Sequence, residues 1–188
     1  MKIEHELDFD KLSEIINIGT KCATQVLSDV IGKTIQPPVS KVELIRLSDV
    51  SISSLKLESE KFSTVTLEFV GKLNIQVMLS FSEETVLYVI QKMMSMETYD
   101  IDTVHEFISE GMCELGNLMI NACLSAITET LKIPIESTLP CYKIKSANEI
   151  VTHIKGMSNK EFILVSHINF SIEGVSLSMT GKIFFLLN

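Results

Sequence analysis

The same pattern of elements occurs twice in this chain, one hundred residues apart, and that duplication restricts the fold more than any other feature of the sequence. Residues 9–31 and 104–131 both read as long amphipathic helices, with apolar residues at three- and four-residue steps. In the first, Leu12, Ile15, Ile16, Cys22, Ala23, Val26, Leu27 and Val30 form the face to be buried. Asp8 is its expected N-cap and Gly32 its expected C-terminal stop. In the second, "TVHE" at 103–106 has the form of a capping box with Thr103 at the N-cap, and Pro134 marks the end. Three β-branched, apolar-rich runs follow each helix: 41–47, 63–70 and 73–81 in the first half, then 137–144, 161–170 and 175–187 in the second. Gly71-Lys72 and Glu173-Gly174 read as the matching turns. A shorter helix at 82–95, capped by Ser82, closes the first half, and residues 146–159 fit either a loop or a short helix. The offset pairs Glu14 with Glu114, Asn17 with Asn117, Ile35 with Ile135 and Phe62 with Phe162, then drifts to about +103 at Gly71 and Gly174.

One helix and three strands are too few to bury both faces of a sheet. The expected fold is therefore α+β: two helix-plus-three-strand units, about 8–98 and 102–188, related by a pseudo-twofold axis and sharing one core in a single domain over 1–188. An apolar content of 46% supplies that core and excludes disorder as the default state. A net charge of −8 argues against nucleic acid and against an anionic membrane surface as partners. No apolar run is long enough to insert into a membrane, and "MKIEHELDFD" has no apolar signal-peptide core, so a cytoplasmic protein is expected. Cys22, Cys113, Cys123 and Cys141 show no metal or redox spacing and read as free, mostly buried thiols.

The repeated Glu-x-x-Asn needs a separate reason, because Asn is a poor helix former. Residues three and four apart share a helix face, so Asp10, Glu14, Asn17 and Lys21 form one polar stripe and Glu110, Glu114, Asn117 and Asn121 the equivalent one. A plain solvated face explains one such pair; its recurrence favours a function, although a duplicated neutral pair would look the same. The stripes hold no nucleophile, and an amide is no general base near neutral pH. The chain has neither a phosphate-cradling glycine loop nor HExxH, and His5, His105, His153 and His167 are scattered. An amide can still orient a water molecule, and phosphoryl transfer depends mainly on positioning and electrostatics.

These stripes resemble the signature of the CheC/CheX/FliY phosphatases of bacterial chemotaxis: Ser or Asp, three residues, Glu, two residues, Asn, twenty-two residues, Pro. Asp10, Glu14 and Asn17 match its start, with Ser40 where Pro is usual; Glu114, Asn117 and Pro140 match its end, with Glu110 where Ser or Asp is usual. "NIGTKCATQVLSDVIGK" and "ELGNLMINACLSAI" are similar to the family's helices, and the resemblance covers about residues 8–185. Two motifs in one chain are more like CheC than CheX, so the resemblance implies a CheC-like fold. It also implies a hydrolase acting on the phospho-aspartate of a CheY-like response regulator in two-component signalling. Asn17 and Asn117 would orient the attacking water, and Glu14 and Glu114 would dock to a Lys of the regulator. Asp10, Glu110 and Pro140 would support the motif. The protein would need no cofactor of its own, since the regulator brings Mg2+. The alternatives are a non-catalytic binding module for a regulator, a flagellar switch component or the deamidase CheD, or an α+β domain with unrelated binding. The CheD reading is the weaker because no helix follows "FFLLN", where the fuller CheC pattern has one.

Overall fold

The structure, a computed structural model, describes residues 9–35, 39–71, 74–93, 101–132, 134–156, 161–171 and 178–187. Helix α1 (Phe9–Ile31) leads into β1 (Val39–Arg46), β2 (Lys61–Gly71), β3 (Ile75–Ser82) and α2 (Glu83–Met93). The second half runs α3 (Ile101–Leu131), β4 (Ile135–Ser137), β5 (Cys141–Ser146), α4 (Ala147–Gly156), β6 (Phe162–Ser171) and β7 (Ser178–Leu187). The duplicated order expected from the sequence is present, and 147–156 is a helix. Asp8, Lys72 and the Glu173-Gly174 turn lie outside the described residues. Helix α3 begins at Ile101, so Thr103 sits within the helix and is not its N-cap.

All the strands join one antiparallel sheet in the order β1-β6-β7-β3-β2, with β4 and β5 both on the outer side of β2. The order explains how two small repeats make one core. Each repeat keeps its own hairpin, β2–β3 or β6–β7, but gives its first strand to the other: β1 pairs with β6 and β5 with β2. The two hairpins meet at β3 and β7, paired from Ile75↔Leu187 to Phe81↔Gly181. Neither repeat can complete its sheet without the other.

The run expected as one strand at 137–144 is broken into β4 and β5. Pro140, just before β5, has no N–H to give to a ladder. Thr138 bridges the gap: its N–H donates to the Glu68 carbonyl at 2.8 Å and its Oγ1 accepts the Glu68 N–H at 3.0 Å.

Strand alternation sends side chains to two cores. Val77, Leu79 and Phe81 of β3, with Ile183 and Phe185 of β7, pack under α1, α2 and α3, so the long helices lie on one side of the sheet. Met78, Phe184 and Leu186 point the other way, against Ile150 and Ile154 of α4 and against Val50, Leu55 and Leu57. His167 and His153 belong to this back face, where burial lowers both their pKa values; His167 lies 3.2 Å from Glu43 Oε2 and His153 lies 3.0 Å from Gln76 Oε1.

In α1 the buried face holds Ile15, Ile16, Ala23 and Leu27, and it also takes in Thr20 and Thr24. Their hydroxyls donate to the carbonyls of Ile16 and Thr20, each at 2.8 Å, which satisfies them inside the core. Cys22 is exposed, as is Cys141; Cys123 is buried and Cys113 half-buried. The thiols are free, as expected, but not mostly buried: Cys22 falls on the rim of the helix stripe and Cys141 at the sheet's outer strand. Among the described residues no helix is long and apolar enough to cross a membrane.

The repeat extends to the helix ends. Gly32 stops α1 in the left-handed region at φ 62°, and Lys33 N–H closes the motif on the Ser28 carbonyl at 3.3 Å. One hundred residues on, Lys132 stops α3 at φ 53°, a conformation in which its Cβ is strained. Lys132→Gly is expected to stabilise the protein by about 0.5–1 kcal/mol, and Gly32→Ala to destabilise it by about 1 kcal/mol, as read by urea denaturation.

Candidate functional site on the paired helices

Helices α1 and α3 lie against each other with little between them at Gly19. A Cβ on Gly19 would stand 2.5 Å from the carbonyl oxygen of Cys123, so only glycine permits this approach. Burial pushes the Cys123 thiol up to about 12, which leaves it protonated and inert. A second glycine, Gly116, seats α3 on the sheet: its Cβ would meet Val65 of β2 at 2.6 Å. These contacts fix the helix surfaces that carry the polar stripes.

Glu14 and Glu114 are both exposed, and Asn17 and Asn117 are both half-buried. Neither glutamate makes a hydrogen bond or ion pair with another described residue, so each carboxylate is open to a cation from outside. The amides are better anchored. Asn121 Nδ2 donates to Asn117 Oδ1 at 2.8 Å, which fixes how the Asn117 amide is turned. Lys21, exposed, takes the place of Asn121 on α1. Asp10 and Glu110 are exposed at the head of their stripes. One residue past each Asn stands an exposed apolar side chain, Ile18 at 46% and Leu118 at 42%, so the apolar neighbour repeats along with the polar pair.

Pro140 lies beside the second pair. Its carbonyl is 4.0 Å from the Sγ of Cys113, the residue before Glu114, so the strand break at Pro140 abuts the helix where the glutamate projects. Ser40, which stands at the equivalent signature position, pairs through its backbone with Ile168 in β1.

The sequence located both Glu–Asn pairs but gave no role to Asn121 or to Ile18 and Leu118. A partner for Asn117 was legible as an Asn four residues further along the helix; the exposure of Ile18 and Leu118 depends on how far the helices sink into the sheet. Neither His153 nor His167 approaches the stripes, since both lie on the opposite face of the sheet. Among the described residues no three His, Cys, Asp or Glu side chains gather into a metal-holding group. Chemically, each stripe offers an open carboxylate, an amide with one donor and one acceptor end, and an apolar contact.

The model of the family described as chemotaxis phosphatase CheX matches residues 63–163. Among solved structures, the fold is similar to FliY of Thermotoga maritima, at 19% identity over 97% of this chain and 91% of that one, with a TM-score of 0.74. It is similar to CheX in a CheX–CheY–BeF3–Mg2+ complex from Borrelia burgdorferi, at 16% identity over 94% and 99%, with a TM-score of 0.60. It is also similar to the middle domain of FliM from Vibrio alginolyticus, at 13% identity over 91% and 90%, with a TM-score of 0.59. The family, and not the CheC branch that the doubled motif suggested, is what the match establishes. The model covers more than half the chain and includes the second Glu–Asn pair, and through it the chain belongs to the CheC/CheX/FliY family of chemotaxis proteins.

Proposed function

We propose that the protein is a phosphatase for a CheY-like response regulator and that both long helices carry a working site. The observation that bears most weight is the repetition itself: an exposed glutamate with no ion-pair partner among the described residues and a half-buried asparagine, at the same spacing on two helices of one face. Membership of a family described as chemotaxis phosphatases supports the same reading.

In this mechanism the regulator brings the phospho-aspartate, its Mg2+ and a lysine, and the phosphatase supplies position. Glu14 or Glu114 pairs with the lysine and sets the docking. Asn17 or Asn117 reaches the phosphoryl group and holds a water in line with the bond to be broken. The water oxygen forms a bond to phosphorus, the bond from phosphorus to the aspartate oxygen breaks, and the electron pair stays on the aspartate carboxylate. Inorganic phosphate leaves, and the water's proton passes to phosphate or solvent. At the second site Asn121 occupies one lone pair of Asn117 Oδ1, leaving the other to accept from the water. No charge on the phosphatase has to neutralise the phosphate, which reconciles an overall charge of −8 with an anionic substrate.

A second reading is a binding module without turnover, docking a regulator or a flagellar switch component. The similarity to the FliM middle domain favours it over other non-catalytic roles. Mixing the protein with a phosphorylated CheY-type regulator and Mg2+, and following loss of the acyl phosphate, separates the two. The catalytic reading requires faster loss with the protein present, and an unchanged rate would favour the binding module.

In that assay Asn17→Ala and Asn117→Ala should each lower turnover at their own site by roughly a hundredfold, the range in which misplacing a reacting group acts. Asn117→Ala should cause the larger loss in total activity, because the second site keeps Pro140 against the helix. A larger loss from Asn17→Ala would reverse that ranking. Glu14→Gln and Glu114→Gln should raise KM more than they lower kcat, and the effect should shrink as salt rises.

A further inference from the structure

We infer that the back face of the sheet holds a binding site for a small dianion, a phosphate group or a dicarboxylate, between β5 and α4. The site shares no residue with the polar stripes, so it stands or falls apart from the phosphatase reading. Strand alternation sends Lys143 and Lys145 of β5 to the same face as Thr64 and Thr66 of β2, the face that α4 covers. Strand β5 is paired to β2 alone, and between it and α4 a cleft of about 560 Å³ remains open. Ligand sites run to about 300–1,000 Å³, so the cleft has room for a small molecule. Thr66 and Gln76 line it from the sheet, Lys143 and Lys145 from β5, and Glu149 and His153 from α4.

The two lysines set the sign of the ligand. Two residues apart on one strand, their Cα atoms are about 6.5 Å from each other. Neither forms an ion pair with another described residue. The pKa of Lys145 is lowered, first by burial and then by Lys143 beside it. Two ammonium groups held together in a partly desolvated cleft repel each other, and a bound anion removes that cost. The carboxylates of the cleft are directed elsewhere. Glu149 Oε2 accepts from the Ser146 N–H and the Ser146 hydroxyl, both at 2.7 Å, and so caps α4. Glu68 Oε1 accepts from Gln76 Nε2 at 3.1 Å. That bond turns Gln76 Oε1 to His153 Nε2, 3.0 Å away, so Nε2 carries the proton and donates. Protonation of Nδ1 would add a third cationic group to the lysine pair. Burial, Lys145 and Lys143 lower the pKa of His153, and an anion in the cleft would raise it again.

NMR titration of the isotope-labelled protein at constant ionic strength tests this, with inorganic phosphate in one series and succinate in the other. At least one of them should give saturable shifts at Thr66, Lys143, Lys145 and His153, and the tighter of the two identifies the head group. Saturation should also raise the pKa of His153. Lys143→Met and Lys145→Met should each weaken binding by about tenfold or more, the range of a lost charged hydrogen bond. Lys145→Arg keeps the charge and should keep binding, which separates the loss of a cation from a change in fold. Lys155→Met removes an exposed charge of α4 outside the cleft and should leave the affinity unchanged. No saturable shift at these residues with either anion overturns the inference. So does an affinity that the β5 lysine changes leave untouched, or one that Lys155→Met weakens equally. None of these results bears on the phosphatase reading.

Discussion

The pairing of β3 with β7, which joins the two hairpins between outer strands exchanged between the repeats, is the constraint on which the rest of this structure depends. A helix with three strands would expose one or both sheet faces. Here β1 completes the second repeat's sheet and β5 the first's, so the sheet continues through the pseudo-twofold axis with hairpins on both sides. Phe81, Leu79 and Val77 lie under the helices because β3 is central, and Met78 lies on the back face for the same reason. The two long helices are brought side by side by the operation that relates the strands. A pair of residues on one helix is thereby duplicated on the other.

The sheet separates two tasks. On its helix face, Gly19 lets the backbones of α1 and α3 approach closely and Gly116 lets α3 settle on the Val65 side chain, which holds the stripes in place. On its back face, α4 and the segment around Val50, Leu55 and Leu57 cover the apolar side chains, and the histidines sit in hydrogen-bonded positions among them. The catalytic reading draws nothing from the back face. A phosphatase whose substrate brings metal and cation needs only a rigid surface with a few groups at a fixed spacing, and a packed helix pair provides that.

Much of this was legible in the sequence because it follows from periodicity. Both long helices, the hairpins and the polar stripes are set by three-four or two-residue spacing, and the repeat offset joined them into one architecture. What was not legible depends on tertiary contact. Leu55 and Leu57 lie in a serine- and glutamate-rich stretch without a period, and only the exposed back of the sheet explains their burial. The strand at 137–144 reads as continuous, yet Pro140 breaks it where Thr138 can supply the missing bonds. The capping box at Thr103 matches a local pattern, but the helix begins earlier, at Ile101. The exchange of β1 and β5 has no local signal at all, since either repeat's second strand would accept either partner.

The interlocked core is the claim that most of the account requires, and the folding of the separated halves tests it most directly. Residues 1–100 and 101–188 would be prepared apart, and thermal unfolding followed by circular dichroism for each alone and for an equimolar mixture. The exchanged strands predict no cooperative transition from either half by itself and the return of one in the mixture. A cooperative transition from either half alone would contradict the shared core, and with it the reason the two helices stand together.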